Sequence, residues 1–170
     1  FRFIDMTDPY APQPFYYATF TLSKIAVDKQ TYGIELKMET NSPFGHAPKK
    51  WFTYNFDANT EKKFRDPSDE IGITYPEVKI TCKEDGDLVL SNDMTGCSTT
   101  INNCSDGEVI YLSGETMIIS SSDDEHDIAN DFNYDFFSFG NTFDNRENNI
   151  SSSLKCRFEM GYEAIIRDVM

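Results

Sequence analysis

Apolar and polar residues alternate along most of this chain in short runs, with the period of two that an extended strand requires. The clearest runs are residues 34–38, 52–56, 78–82 and 154–160. Turn-forming Gly, Pro, Asn and Asp separate them, and no stretch of a dozen residues has a helical period. The pattern predicts an all-β fold of about ten short strands, either an antiparallel sandwich resembling a jelly roll or a barrel.

The N-terminal part of the chain opens with prolines and continues as a hairpin. Pro9, Pro12 and Pro14 disfavour both helix and interior strand, so residues 1–14 are predicted to be an extended lead-in. Residues 15–170 are predicted to form a single β-sandwich domain. In the second strand of the hairpin, alternate apolar side chains are predicted to point inward: Ile34, Leu36 and Met38.

Interruptions in the alternation mark the remaining elements. A change of phase at Lys24 and Ile25 predicts a β-bulge, and residues 28–33 are predicted to be the hairpin loop. Residues 57–75 are charged and irregular, and residues 59–64 within them are the best candidate for one short helix. Long polar loops are predicted at residues 92–107, 120–131 and 141–152.

The charge balance restricts the choice of partner. The chain carries 15 Lys and Arg against 29 Asp and Glu, a formal net charge of -14. Binding to nucleic acid or to an anionic membrane surface draws on basic residues, so both partners are disfavoured. A cationic partner, a neutral glycan or a protein is compatible with the charge.

The four cysteines predict two disulfides, because an even number in a domain of this size is typical of oxidising compartments. We favour a short clip between Cys97 and Cys104. A longer staple then joins Cys82 to Cys156, which both fall at inward positions of alternating runs. The alternative is four reduced core thiols in a cytosolic protein. Neither histidine has a ligand-like spacing to these cysteines, so zinc is not expected.

Two sequons support an extracellular location. Asn103 and Asn149 each begin an Asn-x-Ser triplet in a polar, turn-like stretch where a glycan would be solvated. Together with the cysteines, they predict a secreted glycoprotein.

The sequence contains no strong catalytic motif, and we predict no enzyme activity and no cofactor. His46 and His126 lie in loops where nothing local supports a nucleophilic triad. The alternative is a small secreted hydrolase that cleaves glycans with paired carboxylates. Its candidate acids are on outward strand positions, where they would line a cleft: Glu35, Glu39 and Glu159.

An acidic run provides the one candidate metal site. Calcium prefers about six to eight oxygen ligands, and the run offers the carboxylates of Asp123, Asp124, Glu125 and Asp127. It lacks the glycine and the terminal glutamate of an EF-hand loop, so a solvated acidic loop is the alternative.

Aromatic residues supply a candidate binding surface. Trp51 is out of phase with the run that starts at Phe52, so it faces outward if that run faces the core; the alternative is that Trp51 is itself a core residue. Lys49 and Lys50 flank it, and an exposed tryptophan beside cations suits a sugar ring or a protein hot spot. Phe137 directly follows another phenylalanine, so one of the two rings is exposed unless both faces of that strand are covered.

The function predicted from these features is that of a secreted binding module, such as an effector, decoy or surface-recognition domain. It would bind a protein or a glycan through long loops and one sheet face. The glycan hydrolase is one alternative. The other is a structural surface or cell-wall protein that self-associates through residues 132–139.

Overall fold

A computed structural model describes residues 2–4, 14–27 and 30–167, with residues 2–4 and 27 described by their backbone alone. Most of the predicted lead-in, residues 1–14, therefore lies outside the described residues. The described chain is almost entirely antiparallel β-structure, which confirms the all-β prediction. None of the sheets in this described part closes on itself, so the barrel alternative is wrong.

The chain divides into two compact units. The central unit contains residues 49–162, and the terminal unit contains the residues before and after them. The first eight strands are β1 (Arg2–Ile4), β2 (Phe15–Val27), β3 (Gln30–Thr40), β4 (Gly45–His46), β5 (Lys50–Phe56), β6 (Thr60–Arg65), β7 (Gly72–Thr74) and β8 (Glu77–Cys82). The next four are β9 (Gly86–Asn92), β10 (Cys97–Cys104), β11 (Val109–Ser113) and β12 (Ile118–Ser121). A single turn of helix, α1 (Ile128–Asp131), is followed by β13 (Phe139–Asn141), β14 (Glu147–Ser152), β15 (Cys156–Tyr162) and β16 (Ile165–Ile166).

The terminal unit contains the predicted hairpin. Strands β1, β2, β4 and β16 form one sheet in that order, and β3 pairs with β2. The register between β2 and β3 shifts between Ile25 and Ala26, which confirms the predicted bulge to within one residue. Gln30 already pairs with Val27, so the hairpin loop is shorter than the predicted residues 28–33.

The apolar side chains of β3 are not inside a core. Ile34, Leu36 and Met38 are all exposed, so the prediction that they point inward is wrong. Alternation sorts side chains onto one face of a strand, but it does not supply a second layer to cover that face.

The central unit is built on two larger sheets whose inner faces share one core. One has the strand order β10-β9-β14-β6, and the other has the order β12-β11-β8-β15-β5. Phe64 of β6 packs against Phe52 of β5 with ring centroids 5.1 Å apart, which places apolar faces of the two sheets in contact. This arrangement fits a β-sandwich. Fully buried side chains from both sheets include Val78, Ile80, Leu88, Leu90, Ile101, Ile150 and Phe158.

Three elements of this unit differ from the sequence prediction. Residues 60–65 form β6 instead of a helix, because Phe64 is buried in the core and anchors an extended segment. The predicted loops at 92–107 and 141–152 contain β10 and β14. These strands are rich in Ser, Thr and Asn. The buried Asn148 side chain donates to the Gly140 carbonyl at 2.9 Å, whereas Thr99 Oγ1 and Asn149 Oδ1 are buried without a hydrogen-bond partner.

All four cysteines are free thiols, so the two-disulfide prediction is not supported. Cys97 and Cys104 are at opposite ends of β10 and face residues of β9 that are six positions apart, a separation of roughly 20 Å that no disulfide can span. Cys82 and Cys156 do lie directly opposite each other on β8 and β15, both buried as expected, but they are not bonded. Burial raises the pKa of the Cys156 thiol and so disfavours its reactive thiolate form.

Thiol titration should therefore recover all four cysteines only from the unfolded protein. We expect almost no reaction with a bulky disulfide reagent in native buffer, because all four residues are buried, and four equivalents in strong denaturant without reductant. Recovery of fewer than four free thiols from freshly purified protein under non-reducing conditions contradicts this expectation and restores a disulfide model.

Candidate functional site

Trp51 lies on the outer face of the five-stranded sheet, at its edge strand β5. Its partner in register on β15 is Gly161, and a Cβ atom at Gly161 would lie 2.7 Å from the indole ring. The indole ring therefore lies directly against Gly161. Any other residue type at this position would displace the ring. The side chain remains 45% exposed, so the indole forms an aromatic platform open to solvent.

A charged pair lies beside this platform. Glu77 on β8 is the register partner of Gly161, and it forms an ion pair with Lys49. The Lys49 ammonium also lies 5.5 Å from the Trp51 ring centroid, within the range of a cation–π interaction. The hydrogen bond from Lys49 is the main reason that the pKa of Glu77 is lowered, against the opposing effect of burial. Glu77 is thus held as a carboxylate.

Tyr111 completes the surface from the next strand, β11. Its pKa is raised, first by burial and then by its interaction with Glu77, so the phenol stays protonated and able to donate. We call this set of five residues the Trp51 face: Lys49, Trp51, Glu77, Tyr111 and Gly161. It combines a flat apolar ring with a cation, an anion and a hydroxyl, the mixture that binding sites for polar ligands use.

The sequence anticipated only part of this surface. Trp51 is exposed, which decides between the two alternatives for this residue, and Lys49 is beside it as predicted. Lys50, however, lies over the Phe52 ring at 5.2 Å, away from the Trp51 face. Glu77, Tyr111 and Gly161 were missed because only strand register brings them to Trp51. An alternation pattern identifies the outward residues of each strand, but it does not state which strands are neighbours.

Phe137 is buried, so its predicted place on the binding surface is wrong. Residues 133–138 are irregular, with a positive φ of 60° at Tyr134 that breaks the alternation. Phe136 packs against Phe132 at 5.0 Å, and Phe137 packs against Phe158 at 5.1 Å. The phenylalanine rings of residues 132–139 are therefore in the core and do not supply the self-association surface of the alternative prediction, although Tyr134 of the same segment is exposed.

A polar groove crosses the outer face of the four-stranded sheet. The hydroxyls of Ser91 and Ser151 meet at 2.7 Å in its floor, and two adjoining hollows of about 370 Å³ and 280 Å³ share these residues. Asp93 borders the larger hollow and accepts a hydrogen bond from the Asn149 amide at 2.6 Å. The residues that line both hollows include no aromatic side chain, so the groove lacks a stacking platform.

The two sequons occupy different surroundings. Asn149 lies within β14 and is half-buried, with its amide held by Asp93, so the prediction of a turn is wrong there. Asn103 is exposed near the end of β10, and its amide donates to Asp131 at 3.0 Å. Glycosylation at either residue stays a prediction.

A buried ion pair lies at the other end of the five-stranded sheet. His126 Nδ1 is 2.6 Å from Glu108 Oε1, and both side chains are almost fully buried. The Ser121 hydroxyl donates to the same carboxylate at 2.5 Å, and Asp131 lies 3.3 Å from His126 Nε2. The histidine thus links the loop after β12 to the start of β11.

The acidic run does not assemble into a metal site. Asp123 accepts a hydrogen bond from the Glu125 backbone, and Asp127 accepts one from Asn130 in α1. Within residues 14–27 and 30–167, no three His, Cys, Asp or Glu side chains converge as metal ligands. Asp123, Asp124, Glu125 and Asp127 therefore act as a solvated, turn-forming loop in this structure.

The candidate carboxylates for hydrolysis lie on two strands, β3 and β15. Glu35 and Glu39 are exposed on β3, with Glu35 bonded to Ser23 at 3.0 Å. Glu159 of β15 pairs with Arg157 at 2.8 Å.

His46, the other histidine, stacks on Phe15 at 5.7 Å within the terminal unit. No described helix is long and apolar enough to cross a bilayer.

Comparison with known proteins gives one match. No curated protein and no solved structure matches this chain. One family model matches residues 44–162, which contain the whole of the central unit and every residue of the Trp51 face. Because this match covers more than half of the sequence, the chain belongs to the family described as phage tail C-terminal domain.

Proposed function

We propose that this domain is a surface-recognition module of a phage tail and that it binds a neutral glycan through the Trp51 face. Family membership supports the setting, a phage tail. In our proposal the domain acts outside cells, on the phage particle. This setting replaces secretion as the reason for an extracellular role.

The exposed indole resting on Gly161 is the observation that carries the proposal. The flat C–H face of a sugar ring stacks on such a platform, while sugar hydroxyls need both donors and acceptors at its rim. Glu77 supplies an acceptor, and Tyr111 and Lys49 supply donors. A chain with a net charge of -14 repels anionic polysaccharides, which favours a neutral glycan.

The protonation state of Glu77 favours binding over hydrolysis. A general acid in a glycosidase needs a raised pKa, so that it carries a proton to the leaving group. The pKa of Glu77 is lowered, chiefly by Lys49, and the residue stays ionised at neutral pH. It is therefore suited to accept hydrogen bonds from a ligand.

Titration with neutral bacterial glycans should change the fluorescence of the protein. Trp51 is the single tryptophan, so its emission reports directly on the proposed site. We expect a saturable blue shift as a sugar ring displaces water from the indole. Calorimetry on the variants Trp51→Ala and Glu77→Gln should show binding weakened by about tenfold or more, the scale of one strong contact.

Two variants separate the site from general effects. Phe143→Ala removes an aromatic side chain that is 88% exposed and outside the Trp51 face, so glycan affinity should not change. Gly161→Ala forces the indole off its glycine support and should weaken binding although Trp51 is kept. Glycan binding that survives Trp51→Ala contradicts the proposal, as does binding of a protein partner, but of no glycan, through this face.

A further inference from the structure

The ribbon formed by β2 and β3 has one apolar face and one polar face. Residues that pair in register share a face of an antiparallel ribbon. One face carries the pairs Phe20–Met38, Leu22–Leu36 and Lys24–Ile34, and the other carries Thr19–Glu39, Thr21–Lys37 and Ser23–Glu35. This sorting is typical of a sheet that covers a core.

The aliphatic side chains of this apolar face are nevertheless exposed to solvent. Leu22, Ile34 and Leu36 are 70%, 68% and 59% exposed. An isolated two-stranded ribbon is marginally stable in water, and it normally needs another layer on its hydrophobic face. A contiguous, sorted apolar face of this kind marks an interaction surface.

The charge of the ribbon distinguishes it from the rest of the chain. Residues 14–40 contain three lysines (Lys24, Lys29 and Lys37) and three acids (Asp28, Glu35 and Glu39), so their net charge is zero. All of the net charge of -14 is on the remaining residues. Contact through the ribbon therefore joins two segments without net charge, and it meets less electrostatic repulsion than contact through the acidic remainder as a whole.

We propose that the apolar face of the β2–β3 ribbon is an interface between copies of this chain. A second copy presents the same apolar face on a segment without net charge, and one face can serve both partners in a symmetric contact. A cationic partner would instead prefer the acidic remainder of the chain, and an acidic partner would gain nothing from a neutral ribbon. This proposal is independent of glycan binding, because the Trp51 face lies in the other unit.

The area of the ribbon determines how strongly two copies are expected to associate. Its paired part is about 30 Å long and about 10 Å wide, so two faces in contact bury roughly 600 Å² of sheet, somewhat more with side chains. Stable interfaces bury about 1,200–2,000 Å². We therefore expect weak, concentration-dependent association, in which the mass rises between about 5 and about 300 µM.

Sedimentation velocity of the whole chain tests the proposal. The wild type should shift from monomer toward an oligomer over this range, and the register pair Leu22→Ser with Leu36→Ser should stay monomeric. The matched control changes the neighbouring rung on the opposite face, Thr21→Ser with Lys37→Gln, and should associate like the wild type. A monomeric wild type, or association that the leucine variant leaves unchanged, overturns the proposal.

A second measurement keeps the test valid if the leucine variant disorders the ribbon. Amide hydrogen exchange of the wild type at the two extreme concentrations should show added protection in residues 18–27 and 30–40 at the higher one. Protection that is unchanged there, or that appears only elsewhere, overturns the proposed interface. The variant Trp51→Ala should associate normally, so a failed glycan experiment and a failed association experiment remain distinguishable.

Discussion

Replacing Phe158 with alanine should lower the free energy of unfolding by about 3–5 kcal/mol, the range found when a buried aromatic side chain is truncated. Phe158 is fully buried on β15, between β5 and β8. Its ring contacts Phe56 at 6.1 Å and Phe137 at 5.1 Å. The substitution thus removes a ring at the centre of the core and leaves a cavity that rigid strands on both sides cannot fill.

Urea and thermal unfolding of Phe158→Ala measure this loss, which corresponds to roughly 10 °C in melting temperature for a chain of this size. Phe143→Ala is the matched control, because the same chemical change at an exposed ring should alter stability by about 0.5 kcal/mol or less. Equal effects of the two substitutions would falsify the assignment of Phe158 to the core.

Replacing Glu108 with glutamine should cost about 3 kcal/mol near pH 6, because it leaves His126 buried without its charged partner. Burial alone pushes the pKa of His126 down, but the hydrogen bond and charge of Glu108 outweigh it, and the pKa is raised. Burial likewise opposes ionisation of Glu108. Hydrogen bonds from Ser121, the Ser105 backbone and His126 outweigh this effect, and the pKa of Glu108 is lowered. The pair is therefore charged in the folded protein.

The direction of each shift fixes the pH dependence. A raised histidine pKa stabilises the fold below the ordinary value of 6.5, and this contribution is lost as the pH rises through the folded value. A lowered glutamate pKa stabilises the fold above 4.5, and this contribution is lost on acidification through the folded value. Stability from the pair is thus greatest between about pH 4.5 and about 6.5.

Unfolding curves from pH 4 to 9 measure this profile. The alkaline decline due to His126 should shrink in Glu108→Gln, although Asp131 and Cys104 also face the imidazole and keep part of it. Glu125→Gln makes the same charge change at an exposed residue of the same loop, and its profile should match the wild type. If the two glutamine variants behave alike, the pair has no special role in stability.

Alternation of apolar and polar residues predicted the strands whose buried side chains are apolar, but it missed strands whose buried side chains are polar. Val78 and Ile80 alternate with charged residues, and β8 was predicted correctly. Strand β10 was missed because Thr99, one of its inward residues, is polar and fully buried. Such a strand has the composition of a loop. Only the packing of neighbouring strands against it shows that its polar side chains are buried.

The candidate site illustrates a second limit. The phase of Trp51 against Phe52 left both an exposed and a buried tryptophan possible, and the structure shows it exposed. Glu77 and Tyr111 come from distant strands, and nothing in a single sequence states that β15 lies between β5 and β8. The cysteine prediction failed for a similar reason: Cys97 and Cys104 are close in sequence, but an extended backbone separates them.

The ends of the central unit have a consequence for how such domains are exchanged. Lys50 and Tyr162, near its first and last residues, are register partners on adjacent strands, about 5 Å apart at their Cα atoms. The polypeptide therefore enters and leaves the central unit at neighbouring positions. An insert with this geometry can be swapped between host chains without lengthening the path of the polypeptide on either side.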